Sequence, residues 1–209
     1  MESVNTILII IFFAILVVYL LPYYPEPVVY ANYISDEEIE YLKEFFEKNN
    51  SGQSVIQHDG GPATNNLVRV SETAWLDTVG DKVARSIADR CLKLIDRPIQ
   101  NCEALQIVKY KRGGFFKVHQ DAITVPYTEN QRMYTFMFCL NDDFKGGQTT
   151  FPVLNKTYKL KKGDMLFFHC LDNYGMITSK SLHGGLTVRS NEKWIANLWV
   201  RTYPFEYSL

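Results

Sequence analysis

The sequence predicts an α+β, mainly β chain: a double-stranded β-helix (jelly roll) with supporting helices before it and an apolar anchor at the N-terminus. Three observations predict it. Two stretches with helical spacing come first, and from Glu103 onward about eight short β-rich runs follow, separated by turn residues. An uncharged apolar run occupies residues 7–21. Helices segregated from a strand-rich half point to helices packed on one sheet of a two-sheet barrel. At 209 residues the chain suits one domain with a real core and hardly two. The expected division is an anchor over 1–24, a linker over 25–34 and a folded domain over 35–209.

The first element is the apolar run, from Ile7 to Leu21. As a helix it spans roughly 22–25 Å, somewhat short of a ~30 Å hydrocarbon core. Extension from Asn5 to Tyr24 makes a thin-membrane transmembrane signal-anchor, and Tyr19, Tyr23 and Tyr24 suit an interface. The rival is a cleaved signal peptide, with Val29-Tyr30-Ala31 as the cleavage site. That site lies far beyond the run, and no Lys or Arg precedes it. Either reading sends the domain toward a secretory lumen such as the endoplasmic reticulum. Too few basic residues flank the run to fix its orientation.

Residues 22–34 form a Pro/Tyr-rich spacer. Ser35-Asp36-Glu37-Glu38 is a capping box, and Ile39, Leu42, Phe45 and Phe46 follow at helical spacing until Asn49-Asn50-Ser51-Gly52. Residues 52–66, rich in Gly, Asn and polar residues, are expected to be a loop. A second helical stretch is expected from about Ser71 to Ile95, with Val83, Ile87, Cys91 and Leu94 on its apolar face and a break near Gly80. The expected strands are 104–110, 115–118, 133–140, 149–151, 157–160, 164–170, 182–188 and 194–200.

Composition excludes several classes. Apolar and aromatic content is that of a folded chain, not a disordered one. A net charge of −1 gives no reason to expect nucleic acid as a partner. Four cysteines are compatible with a lumen without requiring one. Cys139 and Cys170 sit in apolar runs as buried thiols, whereas Cys91 and Cys102 are close enough in sequence to pair. Asn49-Asn50-Ser51 and Asn155-Lys156-Thr157 are glycosylation sequons.

The chemistry concentrates in four residues. His119 and Asp121 form His-x-Asp, His183 follows in a later β-rich run, and Lys193 comes ten residues after it. Alone, His-x-Asp on a strand is usually incidental. Two histidines and a carboxylate together are the ligand set of non-haem Fe(II) oxygenases, leaving open positions on the metal. On a strand, residues i and i+2 share a side, so His119 and Asp121 can reach one ion. His183 is expected from a strand on the opposite side of the barrel. Lys193 offers a compact cation for the far carboxylate of a chelating dicarboxylate such as 2-oxoglutarate. His58, in a polar loop, and His169, at a strand end, are read as ordinary histidines.

These residues sit in a wider pattern. Arg69-x-Ser71 with Trp75-Leu76; Leu105-Gln106 with Tyr110, Gly114 and Phe116; Gly146-Gly147-Gln148-Thr149-Thr150-Phe151-Pro152; Ser181-Leu182-His183-Gly184-Gly185; and Lys193-Trp194-Ile195 with Trp199 occur in order. The chain thereby resembles the prolyl 4-hydroxylases, which are Fe(II)- and 2-oxoglutarate-dependent dioxygenases, with the oxygenase core at about 103–202. The resemblance implies that His119, Asp121 and His183 bind iron. It also implies that Lys193 pairs with the distal carboxylate of 2-oxoglutarate, supported by Tyr110 and Thr149, and that Arg132 and Trp199 face a peptide. It further implies O2 as co-substrate, L-ascorbate as the reductant, succinate and CO2 as products, and hydroxylation at C4 of peptidyl proline in Pro-rich or collagen-like polypeptides. Two departures bear on substrate: Gln148 where the family usually has Glu, and Thr187-Val188 where it usually has Pro-Val. The alternatives are a related 2-oxoglutarate oxygenase acting on another residue or a small molecule, and a non-catalytic peptide-binding jelly roll.

Overall fold

The computed structural model describes residues 7–12, 20–49, 52–58, 61–124 and 127–205. In chain order the strands and helices are β1 (Val28–Tyr30), α1 (Asp36–Asn49), β2 (Ile56–His58), β3 (Gly61–Ala63), β4 (Arg69–Val70), β5 (Glu72–Leu76) and α2 (Lys82–Leu92). Then come β6 (Leu105–Tyr110), β7 (Phe115–His119), β8 (Arg132–Cys139), β9 (Lys145–Gly146), β10 (Thr149–Phe151) and β11 (Lys156–Tyr158). The last are β12 (Met165–His169), β13 (His183–Gly185), β14 (Val188–Ser190) and β15 (Lys193–Arg201).

Two sheets carry the domain. One has the order β1-β12-β8-β15-β6-β5 and the other β11-β10-β13-β7-β4, while β14-β9 and β2-β3 form small ribbons. Following the chain, β6 lies in the first sheet, β7 in the second, β8 in the first, β10 and β11 in the second, β12 in the first, β13 in the second and β15 in the first. That alternation, with antiparallel neighbours throughout, is jelly-roll connectivity.

Burial on both faces explains why the central strands look continuously apolar. On β8, Phe136 and Phe138 face the helices, whereas Met137 and Cys139 face the other sheet. On β15, Ala196, Leu198 and Val200 pack under Ile39, Leu42 and Phe46 of α1 and Ile87 and Cys91 of α2. Ile195 turns the other way, to Val108, Met137 and Phe168 between the sheets. A single fully buried Leu or Phe of this kind stabilises by about 1.5–3 kcal/mol.

Several expectations are corrected. The helix anticipated over Ser71–Ile95 is a strand followed by a helix. Residues 72–76 pair with β6 along its edge, and α2 starts only after Asp81, whose carboxylate accepts from Val83 N and Ala84 N. The loop anticipated over 52–66 contains the β2–β3 hairpin. The run 182–188 is broken into β13 and the start of β14. All four cysteines are free and buried, so Cys91 and Cys102 are not paired. The capping box is present: Ser35 N donates to Glu38 Oε2 at 2.9 Å and Glu38 N donates to Ser35 Oγ at 3.3 Å.

The N-terminal stretch is tied down. Strand β1 extends the first sheet beside β12, inside the expected linker. Tyr24 Oη donates to His169 O at 2.8 Å, Tyr23 N to Asn173 Oδ1 at 2.6 Å, and Tyr174 Oη to Leu20 O at 2.9 Å. Residues 7–12 are helical, with exposed apolar side chains. Among the described residues no helix is long and apolar enough to cross a membrane. Residues 1–6 and 13–19, which the expected anchor includes, lie outside the described residues.

Candidate active site

The five-stranded sheet supplies the three ligand-type residues. His119 ends β7 and His183 opens β13, and the two strands pair with His183 directly opposite His119. His183 therefore comes from the neighbouring strand, not from across the barrel. Sequence distance says nothing about adjacency where the strand order is non-sequential. Asp121 lies just past the end of β7.

Their donor atoms converge, lying within 4.8 Å of one another. His119 Nε2 is 3.5 Å from Asp121 Oδ1, and His183 Nε2 is 3.7 Å from Asp121 Oδ2. Each imidazole is oriented from behind. His119 Nδ1 is 2.8 Å from Lys117 O, and His183 Nδ1 is 2.9 Å from Ser181 O. A carbonyl only accepts, so Nδ1 carries the proton and Nε2 presents a lone pair to the shared space. Phe116 stacks on His119 at 3.6 Å between centroids, and Phe151 stacks on His183 at 5.3 Å.

Burial opposes ionisation of Asp121, but His183 and then His119 outweigh it and hold the carboxyl well below its ordinary range. Burial pushes His183 down to about 4. Among the described residues this is the one group of three such side chains close enough to hold a metal ion. Two neutral Nε2 lone pairs and one carboxylate fit a divalent iron.

Close approach of β13 to β7 requires glycine. A Cβ at Gly184 would stand 3.0 Å from Phe116 O and 3.1 Å from Val118 N. Gly147 has φ +68, and a Cβ there would meet Lys193 Cδ at 3.1 Å. The Gly-Gly pair thus lets the loop before β10 reach the lysine.

Lys193 opens β15 opposite Tyr110 on β6. Its side chain is buried, and Nζ donates to Gly147 O at 2.6 Å. Among the described residues no carboxylate forms an ion pair with it. Burial lowers its pKa to about 8. A buried ammonium with one carbonyl and no counter-ion is a standing site for an anion. It shares one cavity with His119, Asp121, His183, Tyr110 and Thr149. The Tyr110 ring centroid is 5.6 Å from Nζ, and Thr149 Oγ1 is 3.8 Å from Met137 Sδ.

At the other end of the cavity stands Trp199. Arg132 lies 3.7 Å over its ring, and its guanidinium is held by Glu103 through two bonds of 2.7 Å. Arg201 Nε donates to the same carboxylate at 2.7 Å. Arg132 thus meets the cavity through Trp199, whose buried Nε1 has no acceptor. His169 packs against Tyr134 and Phe167 away from the ligand cluster, and His58 falls in β2.

Sequence reasoning passed over Thr135 and Asn197, both of which line the cavity, and gave Arg69 and Gln106 no role of their own. The available signal was a polar residue in the inward register of a strand buried on both faces. Thr135 is such a residue beside Phe136-Met137-Phe138-Cys139.

Residues 105–201 match the model of the 2OG-Fe(II) oxygenase superfamily. A putative prolyl 4-hydroxylase of Acanthamoeba polyphaga mimivirus is 30% identical over 191 residues, which cover 87% of this chain and 76% of that protein. The chain belongs to the prolyl 4-hydroxylase family of 2OG-Fe(II) oxygenases. Probable prolyl 4-hydroxylase 10 of Arabidopsis thaliana is 29% identical over 204 residues, covering 87% of this chain and 71% of the plant protein. Among solved structures, the 2OG complex of the viral collagen prolyl hydroxylase from Paramecium Bursaria Chlorella virus-1 superposes with a TM-score of 0.70 at 28% identity. That match covers 86% of this chain and 97% of the viral one. This prolyl 4-hydroxylase family member is a 2-oxoglutarate-dependent dioxygenase that uses Fe(II), with O2 as co-substrate and ascorbate as the family's reductant.

Proposed function

We propose that this enzyme hydroxylates peptidyl proline at C4, in Pro-rich or collagen-like polypeptides, with His119, Asp121 and His183 holding Fe(II). The observation that carries the reading is the pairing within one cavity of the ligand cluster and a buried lysine without a counter-ion. Bound iron supplies the oxygen chemistry that couples oxidative decarboxylation of 2-oxoglutarate, to succinate and CO2, with hydroxylation. The chain's own residues position the reactants. Lys193 receives the distal carboxylate, with the Tyr110 and Thr149 hydroxyls beside it. Among the described residues the Thr149 hydroxyl bonds only the Met137 thioether, a weak acceptor that an incoming carboxylate can replace.

Trp199 is the wall a peptide meets, backed by Arg132. The indole offers an apolar edge of the cavity to a proline ring, and the Glu103 clamp keeps Arg132 on the indole. The rings of Phe116, Phe151 and Phe168 pack against the two imidazoles and hold them in place.

Two experiments test the proposal. Anaerobic titration of the purified domain with Fe(II) and 2-oxoglutarate is expected to give a visible metal-to-ligand charge-transfer band that His183→Ala removes. A panel of Pro-rich peptides, read by mass spectrometry with succinate measured in parallel, is expected to show hydroxyproline. Succinate formation without hydroxyproline on any peptide would point instead to a related oxygenase of other specificity.

The membrane placement is a further part of the proposal: residues 1–24 anchor the domain and direct it to a secretory lumen. The uncharged run 7–21 and its flanking tyrosines support it. Recovery of the full chain in the soluble fraction, without detergent, would overturn it.

A further inference from the structure

The three ligand-type residues are not held equally. The two histidines sit in paired strands, with Nδ1 on a carbonyl and a phenyl ring on the imidazole face. Asp121 lies beyond the end of β7, outside that ladder. Its carboxylate needs a restraint from elsewhere, because a carboxylate free to rotate offers a metal either oxygen or both.

Thr135 supplies one. It sits on β8 in the facing sheet, is 2% exposed and lines the cavity. Its Oγ1 is 2.7 Å from Asp121 Oδ2, and Cys170 Sγ is 3.3 Å from Oγ1. The donor directions are forced. An ionised carboxylate only accepts, so the Thr135 hydroxyl donates to Oδ2. That hydroxyl has then used its one proton, so the Cys170 thiol must donate to Oγ1. A buried chain, thiol to hydroxyl to carboxylate, crosses from one sheet to the other.

We propose that Thr135 is a positioning residue for Asp121, holding Oδ2 so that the carboxylate is fixed in rotation with Oδ1 toward His119 Nε2 and Oδ2 toward His183 Nε2. The proposal rests on the reading that His119, Asp121 and His183 bind the metal. The fit is chemical as well as geometric: a charge-assisted hydroxyl bond inside a low-dielectric site both orients the carboxylate and moderates its donor strength.

The test uses the full-length protein, stripped of metal and titrated with Co(II) without oxygen. Affinity and the visible ligand-field spectrum are read, and turnover is not. Thr135→Val keeps the shape and removes the hydroxyl. It is expected to bind Co(II) 10- to 100-fold more weakly, with a changed ligand-field spectrum. Thr135→Ser restores the donor and is expected to recover wild-type affinity to within a few-fold. Circular dichroism and thermal unfolding accompany each variant. If the valine variant does not fold, the contrast of Thr135→Ser with Thr135→Ala carries the test. Wild-type affinity and spectrum in the valine or alanine variant would overturn the proposal. Undiminished Co(II) binding by His183→Ala would overturn the ligand set itself, and Thr135 with it, so the two failures are told apart.

Discussion

Lys193 is a cation kept in reserve. Burial lowers its pKa to about 8, so below that pH the ammonium is charged and ready for an anion, and above it the side chain turns neutral. KM for 2-oxoglutarate is therefore expected to rise as pH passes about 8, with kcat changing less. Steady-state kinetics across that range check this. In Lys193→Arg, whose guanidinium stays charged, the rise should vanish even if binding is weaker throughout. Lys193→Ala is expected to raise KM for 2-oxoglutarate by about 100-fold or more, as loss of a buried ionic partner costs about 3 kcal/mol or more. Linkage adds a second sign. The unfolded chain keeps this proton up to the ordinary value of 10.5, so between about 8 and 10.5 this group makes stability rise with pH. A saturating dicarboxylate should flatten that slope. The lysine and the three ligand-type residues were visible in the sequence because chemistry restricts residue type. Thr135 was not, because a threonine on a strand is ordinary until its neighbours in the other sheet are known.

Elements divide in the same way. The capping box before α1 was legible because it is local, a bond between residues three apart. Ser35→Ala is expected to cost about 1 kcal/mol, and a drop in Tm of about 2–4 °C, followed by circular dichroism, checks it. The strand β5 was not legible. Ser71–Leu76 runs straight toward α2, and only pairing with β6, from Glu72 opposite Lys109 to Leu76 opposite Leu105, makes it extended. The β2–β3 hairpin escaped notice for a related reason: no alternating apolar face marks it. The pairing of β13 with β7 rests on Gly184, so Gly184→Val should force the strands apart. Weaker metal binding together with a lower Tm is expected, since the intruding atoms meet backbone. A valine variant with unchanged Co(II) affinity would show that the strand spacing is slack.

At the scale of the whole molecule, the two-sheet barrel was readable from the rhythm of short apolar runs, but its sheet order was not, because neighbours in a jelly roll are distant in sequence. Metal occupancy should be visible globally. At 100 times Kd, Co(II) or Mn(II) is expected to stabilise the fold by about 2.7 kcal/mol, and a chelator should reverse the shift in thermal unfolding. Truncation tests the N-terminal tie. Removal through Tyr30 strips β1 from β12 and takes away the buried Tyr24, and Tm should fall. The lacing of residues 20–30 to Asn173, Tyr174 and β12 has one more consequence. There is no slack between residues 20–30 and the barrel. That segment and the barrel therefore tumble as one rigid rotor. A fluorophore at the exposed Leu20 should then report the rotational correlation time of the barrel.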